Sequence, residues 1–115
     1  MNPEFDRLLR WVGRAFDVAP QDIRGRCRKH RICVARHALM FAAYKYLGLT
    51  QQEIGKAMDR DHTSVVHGLR ITKQRVRESL HIRAQLTAAV QESGVAEDCA
   101  KRRSAKRNRA FSRPK

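Results

Sequence analysis

The chain has 115 residues, of which 42% are hydrophobic and 31% charged, so it is expected to form one compact domain rather than two domains or a disordered chain. Its formal net charge of +14 indicates a polyanionic partner, with nucleic acid the first candidate and an anionic membrane surface the second. The membrane interpretation is the weaker one, because no apolar run is long enough for a transmembrane helix and the N-terminus lacks a signal-peptide pattern.

The first ninety residues show helical rather than strand periodicity. Asn2 followed by Pro3 predicts an N-cap with proline in the first helical position. An apolar face then continues through about Asp17, formed by Phe5, Leu8, Leu9, Val12 and Phe16. A short helical turn is predicted at residues 20–24.

A basic stretch at residues 24–31 separates these elements from a longer predicted helix. The helical period returns at Ile32 and continues through Leu39 to Tyr46. Gly48 is expected to end this helix, because glycine takes the left-handed conformation there at little cost.

Two helices joined by a tight turn are predicted next. Thr50 and Glu53 have the spacing of a capping box, which places a short helix from Thr50 to about Met58. The turn precedes a second helix with Asp61 as its N-cap. Gly55 and Ala57 in the first of these helices are small, and they are expected to let the two helices cross closely.

The second helix has a predicted inner face of Val65, Leu69, Thr72 and Val76, and a last helix is predicted at about residues 78–92. A short helix, a tight turn and a second helix form a helix-turn-helix arrangement. In that arrangement the first residues of the second helix reach base edges in the major groove. The sequence therefore predicts an all-α fold, a small helical bundle that contains a helix-turn-helix at residues 1–93.

The segment from Ile54 to His67, which includes the run Arg60-Asp61-His62-Thr63-Ser64, closely resembles the signature of the C-terminal DNA-binding domain (domain IV) of the bacterial replication initiator DnaA. Arg36 lies 18 residues before Ile54, where that family has an arginine on its long helix. The basic stretch at residues 26–31 lies where the family has a basic loop. The resemblance covers about residues 3–92. The turn is shorter than is usual in the family, since only Asp59 separates Met58 from Arg60.

The resemblance implies a role for each of these residues in binding duplex DNA as a monomer. Asp61, His62 and Thr63 would read bases in the major groove, with His67 on the same helix, and Ser64 would hold a phosphate. Arg36 would reach the adjacent minor groove. The other predicted contacts, to the backbone or together with Arg36, are basic: Arg26, Arg28, Lys29, Arg31, Lys56 and Arg60.

The absence of a P-loop motif in the sequence predicts that the chain neither binds ATP nor melts an origin alone. His62 and His67 beside Asp61 could suggest acid–base chemistry, but no nucleophile or metal site is visible with them, so no enzyme is expected. The expectation is therefore a stand-alone, cytoplasmic, nucleoid-associated DNA-binding protein without a cofactor. Its role is either control of replication initiation or transcription regulation. The alternative is a non-specific nucleoid-type or RNA-binding basic protein.

Residues 94–115 form a basic tail with eight basic and two acidic residues, and this composition predicts disorder and sequence-independent phosphate contacts. The tail and the outer helices are also the candidate surfaces for a protein partner.

Three further sets of side chains are expected to have no separate function: the cysteines, a group of cysteines and histidines, and the larger aromatic residues. The odd number of cysteines favours a reducing compartment over a disulfide framework. Cys27, His30, Cys33 and His37 have metal-ligand chemistry, but their spacing matches no common zinc site, so no metal is expected and Cys33 is expected to be buried. The larger aromatic residues are expected in the core or at its edge rather than on a base-stacking surface: Trp11, Phe16, Phe41, Tyr44 and Tyr46.

Overall fold

A computed structural model describes residues 3–94. In this range the chain is helical and has no strand, which confirms the predicted all-α class. Six α-helices and one π-helical segment follow in the order α1 (Pro3–Phe16), α2 (Pro20–Arg24), α3 (His30–Ala42), the π-helical segment (Ala43–Leu47), α4 (Gln51–Met58), α5 (His62–Glu78) and α6 (Leu80–Ser93). The predictions for Asn2 and for residues 95–115 lie outside the described residues, and the domain boundary near residue 93 stays a prediction.

The core lies between two helix pairs, α1 with α6 and α3 with α5. The apolar face predicted for α1 is confirmed, since Phe5, Leu8 and Val12 are each at most 1% exposed. Leu39 of α3 and Val65 of α5 are fully buried in the same cluster. Burial of these side chains stabilises the bundle, because transferring each one from water to the core contributes a free energy of roughly 1.5–3 kcal/mol.

The end of the long third helix differs from the prediction. The sequence predicts an α-helical period through Tyr46, but the chain passes into a π-helical turn at Ala43, and the buried residue at the end is Leu47. A π-helical turn has one more residue than an α-helical turn, so it moves the buried position along the sequence. Tyr44 is 48% exposed, which corrects its predicted place in the core or at its edge. Gly48 ends the segment with φ +70°, as predicted.

Local hydrogen bonds fix the ends of the helix-turn-helix. Thr50 Oγ1 accepts from Glu53 N at 3.1 Å and Glu53 Oε1 accepts from Thr50 N at 3.0 Å, which confirms the capping box. Asp61 Oδ1 accepts from Ser64 N at 3.1 Å, so Asp61 is the N-cap of α5 as predicted. The last helix begins later than predicted, because Ser79 is extended and caps α6 through its hydroxyl.

None of the helices in the described range is both long and apolar enough to cross a membrane.

Candidate nucleic-acid interface

The first turn of α5 presents polar side chains to solvent, and a buried apolar residue directly follows them. His62, Thr63 and Ser64 are exposed, whereas the next residue, Val65, is fully buried against the core. Asp61 is exposed as well, directly before the helix. The end of the helix is therefore anchored by its own apolar residue, and its outward side chains are accessible to a ligand.

This exposed face continues along α5. His67, Arg70 and Gln74 are exposed and follow Thr63 at intervals of four, three and four residues, which places all four side chains on one side of the helix. Arg70 was not among the predicted contacts. The helical spacing from Thr63 and His67 is a sequence signal that could have found it.

The turn before α5 depends on Asp59 and Gly55. Asp59 has φ +54°, the left-handed conformation that glycine more often supplies, and it ends α4. Arg60 N donates to Gly55 O at 2.8 Å, which closes the turn. A Cβ atom on Gly55 would lie 2.6 Å from the Arg60 carbonyl oxygen. Gly55 is therefore required by the returning turn, which corrects the expectation that it serves the crossing of two helices.

Arg36 joins α3 to the end of α2, directly before the basic loop. It is only 6% exposed, and its Nε and Nη2 donate to the carbonyl oxygens of Ile23 at 2.7 Å and Asp22 at 3.0 Å. This position corrects the expectation that Arg36 projects toward a minor groove. A buried guanidinium requires hydrogen-bond acceptors, and the two carbonyls at the end of α2 supply them.

Arg60 joins the basic loop to the turn. Its Nη2 donates to the carbonyl oxygen of Gly25, and the side chain is half-buried. Burial, together with the nearby cations Arg36 and Arg26, lowers the pKa of Arg60 below its usual range. Arg60 therefore places the loop beside the start of α5, as well as carrying a charge there.

The remaining predicted basic contacts are all exposed and lie on the loop, on the first turn of α3 or on α4: Arg26, Arg28, Lys29, Arg31 and Lys56. Arg26 Nη2 is 3.8 Å from Asp59 Oδ2, and both side chains are more than 80% exposed. An ion pair this exposed contributes little to stability, so Arg26 keeps its charge available for a phosphate.

His37 of α3 packs against α5. The sequence marks this residue only by its metal-ligand chemistry. Its ring lies edge to face with His67 at 5.9 Å between centroids, and its Nδ1 is 3.3 Å from Arg75 Nη1. Burial, and next the positive charge of Arg75, lower the pKa of His37 to about 4. The imidazole is therefore neutral near pH 7 and can accept a hydrogen bond from Arg75 at Nδ1. The two residues are 38 positions apart, so no local pattern marks the pair.

α3 and α5 meet closely beside this histidine. A Cβ atom on Gly68 would lie 2.9 Å from Met40 Sδ and 3.0 Å from His37 Cδ2. A cleft of about 470 Å³ opens next to this contact, lined by side chains that include Arg36, Arg60, Thr63, Ser64 and His67. Residues of the predicted site that carry hydroxyl and cationic groups thus line one cleft.

The cysteines take part in hydrogen bonds in this region. Cys33 is half-buried rather than buried as expected; its Sγ lies 3.9 Å from the Cys27 carbonyl oxygen and 3.8 Å from Arg36 Nη1. Within residues 3–94 no three side chains of the His, Cys, Asp or Glu types come together as a metal-binding group.

The geometry above is that of a helix-turn-helix with an accessible recognition end, and the comparison with known families agrees with it. Residues 5–71 match the family described as the bacterial DnaA protein helix-turn-helix. The match includes α4, the turn and the exposed first half of α5. The chain belongs to the bacterial DnaA C-terminal helix-turn-helix family. Membership of this family implies DNA binding.

Relatives of this DnaA-type domain are chromosomal replication initiator proteins. The DnaA of Oleidesulfovibrio alaskensis is 26% identical over 87 residues, which cover 76% of the chain and 19% of that relative. The DnaA of Desulfotalea psychrophila is 28% identical over 75 residues, covering 65% and 16% respectively. The DnaA 2 of Chlamydia caviae is 30% identical over 71 residues, covering 62% and 15%. The matched region thus spans less than a fifth of each of these relatives.

Proposed function

We propose that the chain binds duplex DNA sequence-specifically, at an asymmetric box of the type bound by DnaA, with α5 as the recognition helix. The observation that carries the proposal is the exposure of Asp61, His62, Thr63 and Ser64 around the fully buried Val65. A purely electrostatic DNA-binding protein would not require this set of hydrogen-bonding groups at the end of a helix.

Each exposed side chain has a distinct task in this proposal. The Thr63 methyl group contacts a thymine methyl group and His62 reads a neighbouring base edge in the major groove. Asp61 Oδ1 caps the helix, and Oδ2 accepts from the amino group of a cytosine. Ser64 donates its hydroxyl to a phosphate, and His67 and Arg70 extend the contact along the groove.

The basic loop supplies the contacts that do not depend on sequence. Because Arg60, directly before α5, donates to Gly25 at the start of the loop, the exposed cations of the loop lie beside the recognition end. These cations and Lys56 bind phosphates that flank the box, and the contacts fix the register of the helix on the DNA. The basic residues after position 94 add affinity for any duplex.

The biological role that follows is control of replication initiation or regulation of transcription, by a monomer bound to its box in the nucleoid. Occupation of initiator boxes on the chromosome would serve either role.

Selection of bound duplexes from a random pool is the first test, and a single enriched motif is expected. Thr63→Ala or His62→Ala should then weaken binding to that motif by about 1–3 kcal/mol and binding to unrelated duplex much less. Lys56→Ala is the matched control in the same motif, and it should weaken both duplexes alike and reduce the salt dependence by about one charge. Equal losses on both duplexes in Thr63→Ala and His62→Ala would show that the helix end does not read bases.

The non-specific alternative makes the opposite forecast. A nucleoid-type or RNA-binding protein would enrich no motif, and its affinity would depend on salt and on the residues after position 94. Removal of residues 95–115 should therefore weaken all duplexes by the same factor while the preferred motif persists under our proposal.

A further inference from the structure

A second surface feature lies at the other end of α5. It is a groove of about 820 Å³ between the carboxyl-terminal part of α3 with the π-helical segment on one side and the second half of α5 with the start of α6 on the other. We call this feature the α3–α5 groove. Its apolar part is formed by Phe41, Tyr44, Leu49 and Val76.

Only two large hydrophobic side chains are markedly exposed in the described part of the chain, and Tyr44 is one of them. It is the second residue of the π-helical segment, directly after the buried Ala43. π-helical turns occur frequently at functional sites, since they place side chains where a regular helix would not. The exposed aromatic ring therefore lies on an irregular stretch of the backbone.

The rim of the groove is basic. Lys45, Lys73, Arg77 and Arg83 line it, and none of the described residues lining it is acidic. Arg83 is held in place by its own hydrogen bonds, from Nε to Val76 O at 3.0 Å and from Nη2 to Arg77 O at 3.4 Å. Apolar surface bordered by one sign of charge fits an amphipathic ligand of the opposite sign.

We propose that the α3–α5 groove binds an acidic amphipathic helix of a partner protein. The charge decides between the candidate occupants: the chain has a net charge of +14, and its residues 95–115 hold eight basic and two acidic residues, so neither a second copy nor that segment complements the rim. Duplex DNA matches the charge but supplies no apolar side chains for Phe41, Tyr44, Leu49 and Val76. An acidic helix with apolar residues three and four positions apart matches both features.

The position of the groove permits simultaneous binding of DNA. Lys73 and Arg77 follow Asp61 by 12 and 16 residues on the same helix. At the rise of an α-helix this separation is about 18–24 Å. A partner in the α3–α5 groove would thus be carried to the DNA without covering the recognition end, and this part of the inference rests on the proposed function.

The test begins with selection from a display library of random 16-residue peptides on the full chain. Enrichment of peptides rich in Asp and Glu, with apolar residues at helical spacing, is expected. Fluorescence anisotropy of an enriched peptide should show at least tenfold weaker binding to Tyr44→Ser and to Lys73→Glu. Arg10→Glu is the matched control, because it makes the same charge reversal on an exposed residue of α1, and it should bind as the unaltered chain does.

Circular dichroism melting of each variant establishes that it is folded. The inference is overturned if no such peptides are enriched, if Lys73→Glu and Arg10→Glu weaken binding equally, or if duplex DNA displaces the peptide. The first two results concern the groove alone, so they leave the DNA-binding proposal standing. Failure of the DNA-binding proposal would instead appear as the absence of an enriched duplex motif.

Discussion

Replacement of Gly55 by alanine tests how the turn positions the recognition helix. Gly55 lies inside α4, and in an exposed helix the exchange of glycine for alanine stabilises by about 1 kcal/mol. The structure predicts the opposite sign here, because Gly55 is buried and the new Cβ would lie 2.6 Å from the carbonyl oxygen of Arg60. That oxygen belongs to the backbone and cannot move aside as a side chain can.

The expected magnitude follows from these two opposing effects. Overpacking costs typically 1–3 kcal/mol, and contact with backbone belongs at or above the upper end of that range. After the gain in helix propensity, Gly55→Ala should lower the free energy of unfolding by about 2 kcal/mol. The melting temperature should then fall by roughly 8–15 °C. The displaced turn should also weaken binding to the preferred duplex about tenfold or more, a loss of about 1.4 kcal/mol.

Urea denaturation followed by circular dichroism measures the first effect and fluorescence anisotropy with labelled duplex the second. Gln52→Ala is the control, because Gln52 is an exposed residue of the same helix and its replacement should change stability by less than about 0.5 kcal/mol. If Gly55→Ala were as stable as the unaltered chain or more stable, the close approach of the turn to α4 would be refuted.

Three further predictions concern stability. Thr72 Oγ1 is buried and has no hydrogen-bond partner among residues 3–94, so Thr72→Val should raise the free energy of unfolding by about 1 kcal/mol in chemical denaturation; a loss would show that the hydroxyl is satisfied. Thr50→Ala removes one half of the capping box and should cost about 1 kcal/mol in the same assay, whereas an unchanged midpoint would mean that the cap is not formed. The pKa of His37 falls from 6.5 to about 4 on folding, so the unfolded chain binds more protons between these values, and the stability present above pH 6.5 should decrease as the pH falls toward 4. Because the ring is only partly buried, we expect a decrease of about 1–2 kcal/mol, and His37→Gln should remove this part of the pH dependence.

The local features of the candidate site could be read from the sequence. The Thr50–Glu53 box and the Asp61 cap each join residues three positions apart, so the residue types and their spacing are sufficient to predict them. The polar run that follows Asp61 lies on the first turn of a capped helix, and its exposure follows from the burial of Val65. The family resemblance rests on this same segment.

The role of Arg36 could not be read in the same way. Its position before a long helix is visible in the sequence, but its hydrogen-bond acceptors belong to residues 13 and 14 positions earlier. The outcome depends on how the end of α2 approaches α3. A cation predicted to contact DNA is therefore buried in this structure, where it joins α3 to the end of α2.

Sequence alone thus determined the helices, their caps and the polar face of the recognition helix, because these depend on contacts within one or two turns. The tertiary structure decided which charges project and which are used internally. The bond from Arg60 to the Gly25 carbonyl spans 35 residues and the contact of Arg75 with His37 spans 38. Such pairs form only when packing of the core brings separate helices together, and a one-dimensional pattern does not encode the distance between them.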